Sequence, residues 1–248
     1  MTSKCPYNIC GGSGMIYYTE NGYDFAKKCK CYLDQIQENK LKFAKIPEEF
    51  QGLTVKSFNI NIYTTEKARE VANKAKNTVA GYIKKYEEMQ GLGKGLFLYS
   101  TKRGSGKTRL AVSAGNALIK TYGTRVRFIT TIDLLDQIKA TYSDDTKYTE
   151  IQLMNELCEI DVLILDDIGT EKSTPWVTEK FFKILDTRMT HKKTTIITSN
   201  LNIENLQHDE RIKSRLRKMV ILIEMPEEDV RQALGKSENE ELINMLLA

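Results

Sequence analysis

Gly104-Ser105-Gly106-Lys107-Thr108 places small residues, an ammonium and a hydroxyl in the order that a phosphate-binding turn requires. Small residues let successive backbone N–H groups curl around a triphosphate, and a helix starting directly behind them aims its positive N-terminal end at the same charge. There Lys107 would bridge the β- and γ-phosphates, and the Thr108 hydroxyl would ligate Mg²⁺. The full pattern is Gly-x-x-x-x-Gly-Lys-Ser/Thr, and Thr101 stands where its first glycine belongs. The plain alternative is a Gly/Ser turn ahead of an ordinary helix. Context separates the two, because the phosphate loop needs a strand before it and a helix after it. Leu96-Phe97-Leu98-Tyr99 reads as the strand. Leu110, Ala111, Ala114, Ala117, Leu118 and Tyr122, spaced by three and four, put one apolar face on the helix.

Two further segments carry matching chemistry. Val162-Leu163-Ile164-Leu165 runs into Asp166-Asp167, the form expected of a buried parallel strand whose C-terminal end meets a Mg²⁺-nucleotide. Asp166 would hold the Mg²⁺ water shell, and Asp167 would orient or deprotonate the attacking water. Thr194 to Ser199 is a β-branched strand ending at Asn200, whose amide is placed to touch the γ-phosphate or that water. An asparagine after a strand is otherwise a turn residue.

Four of the five cysteines fall near the start, as Cys5-x4-Cys10 and Cys29-x-Cys31. Four thiolates suit tetrahedral Zn²⁺, and a site closed by protein ligands is structural rather than catalytic. Met15 to Tyr18 and Tyr23 to Phe25 are the candidate strands of a hairpin turning at Asn21-Gly22, which would bring both cysteine pairs together. Disulfides are the competing use of these cysteines, and a reducing compartment favours the metal. A ribbon this small has almost no core, so metal binding would be nearly synonymous with folding, and its work would be recognition. His191 and His208 lie far from the cluster and are assigned to the surface.

The elements that must position these groups follow in order. Tyr32 to Lys45 is a charged helical stretch, and Ile46-Pro47 marks a boundary because the residue before proline is pushed out of the α region. Residues 1–45 therefore form a cysteine-rich segment with a helical linker, and residues 46–248 the nucleotide domain. A short irregular approach leads to a helix from Glu66 to Glu88, where Ala68, Val71, Ala75, Val79, Tyr82, Ile83 and Tyr86 recur at helical spacing after Thr64 or Thr65 as cap. Val126 to Thr131 reads as a second strand, Asp133 to Thr141 as a short helix, the polar stretch to Glu150 as a surface loop, and Val220 to Glu224 as a fifth strand. The alternation implies an α/β fold with a five-stranded parallel sheet covered on both faces.

The chain has 248 residues, 41% apolar and 28% charged, too charged for a membrane protein and long enough for one sizeable α/β domain plus a small appendage. No apolar run approaches the eighteen or so residues of a membrane span, and the first residues carry no apolar signal core, so a cytoplasmic location is expected. The net charge of +4 lies entirely in residues 1–90, with 14 Lys/Arg against 10 Asp/Glu, while residues 91–248 carry 23 of each. That bias is compatible with nucleic acid phosphates and equally with a solvated surface.

With those motifs in hand, the chain resembles the AAA+ ATPases of the DnaC/DnaI helicase-loader type and the related IstB transposition ATPases. The resemblance spans about residues 46 to 231. It rests on Gly104 to Thr108, the Leu-Asp-Asp-Ile-Gly-Thr-Glu run at 165–171, Thr198-Ser199-Asn200 and Arg211-Ile212-Lys213-Ser214-Arg215-Leu216. It implies that Asp166 and Asp167 are the Walker B pair, Asn200 is sensor 1, Arg215 is an arginine finger acting on a neighbour's ATP, and Arg231 is the nearest candidate for sensor 2. Many AAA+ enzymes carry Glu where Asp167 stands, and little of the helical lid has room after Arg231. The family further implies an N-terminal grip on a hexameric replicative helicase, contact with single-stranded DNA, self-association through the AAA+ part, and ATP used as a switch. An IstB-like regulator of a transposase, and a nucleotide-dependent single-stranded DNA-binding module without real hydrolysis, are the alternatives.

Overall fold

The computed structural model describes residues 5–142 and 149–247. Its centre is a sheet of five parallel strands: β3 (Gly95–Tyr99), β4 (Val126–Thr130), β5 (Val162–Ile168), β6 (Thr194–Ser199) and β7 (Val220–Glu224), in the order β4-β5-β6-β3-β7. Side chains alternate across a strand, so apolar residues at successive positions feed two cores. Leu96, Leu98, Ile164 and Ile196 pack into one cluster, while Phe97, Leu163, Leu165 and Ile197 pack into the other. The expected five-stranded parallel α/β fold is the observed one.

The first cluster is closed by α2 (Glu66–Lys84) and α4 (Lys107–Tyr122), and the second by α5 (Thr131–Ala140), α6 (Glu150–Glu159), α7 (Pro175–Thr190) and α8 (Glu210–Met219). Thr65, rather than Thr64, caps α2 by accepting from the Ala68 N–H. The helix expected over Glu66 to Glu88 is interrupted at Lys85 (φ −108°, ψ 26°) and resumes as α3 (Tyr86–Gly91). The break turns Tyr86 inward, 1% exposed, with its ring 5.1 Å from that of Tyr122.

Helices α6 and α7 are among the additions to the sequence reading. Helix α6 buries Leu153, Met154, Leu157 and Cys158 and starts at a capping box between Thr149 and Gln152. Helix α7 starts at Thr174 with Pro175 in its first turn. Most of the expected surface loop, residues 143–148, lies outside the described residues.

Before this core, β1 (Met15–Glu20) and β2 (Tyr23–Lys28) form an antiparallel hairpin. Asn21 and Gly22 both take positive φ, 52° and 80°, as a tight hairpin turn demands. Helix α1 (Lys30–Phe43) follows at once, and its end joins the core where the Phe128 N–H donates to the Ala44 carbonyl at 2.8 Å. Among the described residues no helix is long and apolar enough to cross a membrane.

Candidate nucleotide and metal sites

The strand order decides the geometry. Strand β6 lies between β3 and β5, so the residue types ending β6 fall between the loop leaving β3 and the carboxylates ending β5. All three ends point the same way, the edge at which open parallel sheets bind ligands.

The turn between β3 and α4 needs its glycines. Gly104 (φ +69°) and Gly106 (φ +87°) both sit in the left-handed region. A Cβ on Gly104 would come 2.0 Å from Asp229 Oδ1, and one on Gly106 would press on Phe58 and Tyr63 at 3.0 Å. Tyr63 also donates to the Ser105 carbonyl at 2.9 Å. Lys107 is 7% exposed and folds its Nζ onto the Lys102 carbonyl (2.8 Å), with Ser105 Oγ at 3.3 Å. Burial lowers its pKa, against the pull of Asp167 and Glu227. An ammonium held by carbonyls inside a glycine-bearing loop is ready for exchange onto phosphate oxygens.

Thr101, at the missing glycine, donates its N–H to Glu227 Oε1 at 2.8 Å and its hydroxyl to Glu227 Oε2. The neighbouring Glu228 accepts from the N–H and hydroxyl groups of Thr64 and Thr65, and the Val230 N–H donates to the Gly104 carbonyl. The segment after β7 therefore clamps the loop at both ends. Arg231 follows at the start of α9 (Val230–Leu247), its Cβ 3.0 Å from the point where a Gly104 Cβ would lie.

Asp166 Oδ1 accepts from Thr108 Oγ1 at 2.9 Å and from Thr198 Oγ1 at 2.7 Å. Burial raises the Asp166 pKa, opposed by those two hydroxyls. Asp167 sits at a register shift in β5 and takes φ +59°, which an aspartate tolerates better than most residues. The bulge turns its carboxylate toward Asn200, whose Nδ2 donates to Oδ1 at 2.7 Å, and its own N–H goes to Thr198 Oγ1 at 2.9 Å. Burial raises the Asp167 pKa too, with Lys107 as the main counterweight. Two desolvated carboxylates, one hydroxyl and one ammonium form a donor set that fits a hard divalent cation and a polyphosphate.

Lys107, Thr108, Asp166, Asp167 and Asn200 are thus brought together, and Arg231 lies beside them. Arg215 is placed elsewhere: Nε donates to Asp186 Oδ1 at 2.7 Å, Nη1 to the Arg211 carbonyl, and its guanidinium lies 4.0 Å from the centre of the Phe182 ring. Sequence reasoning named Thr198 within a motif but gave it no role, its signal being a hydroxyl two residues before the strand-end amide, and passed over Glu227, whose signal was an acidic run just beyond β7. His208 requires a correction. Expected on the surface, it is buried, with Nε2 2.6 Å from Glu171 Oε1, because the turn after β6 folds it beneath Phe181.

The thiols of Cys5, Cys10, Cys29 and Cys31 all lie within 4.8 Å of one another. Cys5 and Cys29 are 3.8 Å apart and Cys10 and Cys31 3.3 Å. Four sulfurs at about 2.3 Å from one tetrahedral ion would be about 3.8 Å from each other, so the cluster can hold a metal. The Cys10 and Ile9 N–H groups lower the Cys5 thiol to about 6, whereas the Cys10 thiol beside Cys31 pushes the Cys31 thiol up. The hairpin assembles the set by holding Cys29 N–H on the Gly14 carbonyl at 2.8 Å.

Residues 31–214 match the model of the IstB-like ATP binding protein family. The chain belongs to that family. Among curated relatives of this IstB-like chain, the replicative helicase loader DnaC of Buchnera aphidicola subsp. Baizongia pistaciae is 35% identical over 123 residues, covering 49% of this chain and 50% of the relative. The phage-like element PBSX protein XkdC of Bacillus subtilis is 26% identical over 216 residues, covering 85% and 77%. The match spans about half the length of the DnaC relatives. A crystal structure of the DnaC helicase loader superimposes with a TM-score of 0.58 at 24% identity, covering 72% of this chain and 99% of that one. The IstB-like resemblance read from the motifs therefore holds for the family, and the DnaC structure shares the fold.

Proposed function

We propose that this chain is an ATP-dependent loader of a replicative helicase, in which ATP binding and slow hydrolysis switch the protein between assembly and release. The observation that carries the reading is the Asp167–Asn200 pair set opposite Lys107 on the edge shared by β5, β6 and β3. Lys107 and the backbone N–H groups of the loop before α4 bind the phosphates. Thr108 and Asp166 would hold Mg²⁺, which would neutralise charge on the β- and γ-oxygens. Asp167, oriented by Asn200, positions a water for in-line attack on the γ-phosphorus and takes its proton as ADP leaves. Arg231 approaches the phosphates from α9, and the clamp through Glu227 passes the state of the loop to that helix.

Arg215 belongs to the same proposal as a finger acting on a neighbouring copy's ATP, released from Asp186 or presented with it. An always-charged guanidinium suits the task, and fingers add on the order of 10³ or more in rate. The four thiols would hold Zn²⁺ as a structural ion. The relatives named as replicative helicase loaders support a replicative helicase as partner, and a hexameric form of it, single-stranded DNA and a cytoplasmic setting belong to the same proposal. The match to the IstB-like ATP binding family keeps open the second reading, an ATPase acting on a transposase.

Affinity purification of the full chain with ATP, against the replicative helicase and a transposase of its host, separates the two. Helicase recovered in stoichiometric amount supports the loader. Recovery of the transposase alone replaces it with the second reading, and recovery of neither leaves a nucleotide-dependent DNA-binding module.

A further inference from the structure

The hairpin carries aromatic side chains that its own fold does not use. Every residue of β2 is exposed, and cross-strand pairing puts Ile16, Tyr18, Glu20, Tyr23, Phe25 and Lys27 on one face, with Lys28 on the other. The Tyr18 and Phe25 rings stack at 5.6 Å between centroids and remain 41% and 45% exposed. A two-stranded hairpin on a metal knuckle has no core to fill, so exposed stacked rings mark a surface made for a partner.

The charges around those rings indicate which kind. Lys27 Nζ lies 5.3 Å from the centre of the Tyr18 ring, Lys28 5.4 Å from Tyr32 and Lys30 5.0 Å from Tyr7. Glu20 and Asp24 sit at the far tip, where Asp24 accepts from Thr19 at 2.7 Å. The root is thus basic and the tip acidic. Lysine is depleted in protein–protein interfaces, whereas lysines interleaved with flat rings match an anionic backbone with stackable bases.

We propose that this hairpin face binds single-stranded DNA, with bases stacking on Tyr18 and Phe25 and the backbone phosphates meeting Lys27 beside them and Lys30 at the basic root. The inference deepens the loader reading and rests on it for the choice of single-stranded DNA. It adds a contact on the ribbon, apart from the nucleotide domain. No base-edge donors converge on the face, so binding is sequence-tolerant and weakens with salt.

The test is fluorescence anisotropy of a labelled oligothymidylate with the full chain, repeated with a duplex, alongside metal content, ATP binding and helicase capture. Tyr18→Ala/Phe25→Ala should weaken oligothymidylate binding by about tenfold or more, leaving metal content, ATP affinity and helicase capture intact. Tyr18→Leu/Phe25→Leu keeps an apolar pair without flat rings and should show the same loss, which decides the matter if the alanine variant loses its metal. Tyr17→Ala, on the opposite face and 74% exposed, should bind as wild type. Unchanged oligothymidylate binding in the leucine variant overturns the inference. So does loss of helicase capture with DNA binding kept, which would make the face a protein contact. Failure of the wild-type chain to capture helicase rejects the loader reading by itself and leaves the DNA result to stand or fall separately.

Discussion

Glu171 Oε1 and His208 Nε2 meet at 2.6 Å in a pocket that leaves their side chains 3% and 2% exposed. Glu171 also accepts the Gly169 N–H at 2.9 Å through its other oxygen, two residues beyond Asp167. His208 immediately precedes Asp209, the cap of α8. The pair therefore ties the loop after the carboxylates to the start of the helix that carries Arg211 and Arg215. His208→Ala strands a buried carboxylate and should cost about 3 kcal/mol or more in urea unfolding. Adding Glu171→Gln should recover part of the loss, because the amide keeps the Gly169 bond without charge. Additive losses in that double-mutant cycle would mean the two residues act independently.

Lys107→Ala and Asp167→Asn should separate binding from turnover. Loss of the buried ammonium removes charge facing the phosphates and should abolish measurable ATP affinity. Loss of the Asp167 carboxylate keeps the loop intact, so affinity should stay within a few-fold while turnover drops by about 10² to 10⁴. Equilibrium binding of a fluorescent ATP analogue and phosphate release read the two quantities. Equal loss of affinity in both variants would remove Asp167 from the chemistry.

Glu228 gives a pH dependence with a definite sign. Hydrogen bonds from Thr65 and Thr64 depress its pKa from 4.5 to about 2. A carboxylate depressed on folding stabilises fully above its ordinary pKa, and the contribution disappears as pH falls from 4.5 toward 2. Glu228→Gln should therefore lower Tm by a constant amount above pH 5, with the difference shrinking toward zero near pH 2. A difference that grows on acidification would refute the assignment.

Metal removal should unfold the ribbon and spare the ATP site. Elemental analysis should find one zinc per chain in the wild type and none in the Cys5, Cys10, Cys29, Cys31→Ser variant. Chelation should abolish protection of the β1–β2 amides from hydrogen exchange, with ATP binding within a few-fold of normal. Zinc-free wild-type protein with a protected hairpin would exclude a structural metal.

Much of this was legible in residue order because the chemistry sits at strand ends, where composition changes abruptly. Leu165-Asp166 and Ser199-Asn200 are such junctions, and the cysteine pairs bracket an Asn-Gly turn that is hard to mistake. What escaped depends on contacts between distant segments. His208 reads as a lone polar residue in a loop until the turn after β6 buries it, and Glu227 becomes part of the phosphate loop only because β7 pairs beside β3. Helix α6 escaped for a local reason. The polar run before it reads as loop up to Glu150, across the capping residue Thr149, and the short stripe of Leu153, Met154, Leu157 and Cys158 does not by itself establish a helix.

Arg215 supplies the test of assembly. Its contacts with Asp186 and Phe182 hold it within its own chain, so action on a neighbour's ATP requires self-association. Mixing Arg215→Ala, with an intact phosphate loop, and Lys107→Ala, with an intact arginine, should restore turnover that neither shows alone. A mixture no more active than its components, in proteins shown to associate, would assign Arg215 to its own helix pair.

The central claim is that nucleotide state at Lys107, Asp167 and Asn200 governs partner capture, and helicase retention measured with ATP and then ADP tests it most directly. Wild-type protein should hold the helicase with ATP and release it as ADP forms, while Asp167→Asn should hold it with ATP and fail to release. Retention that is equal with ATP and ADP in both proteins would contradict the account.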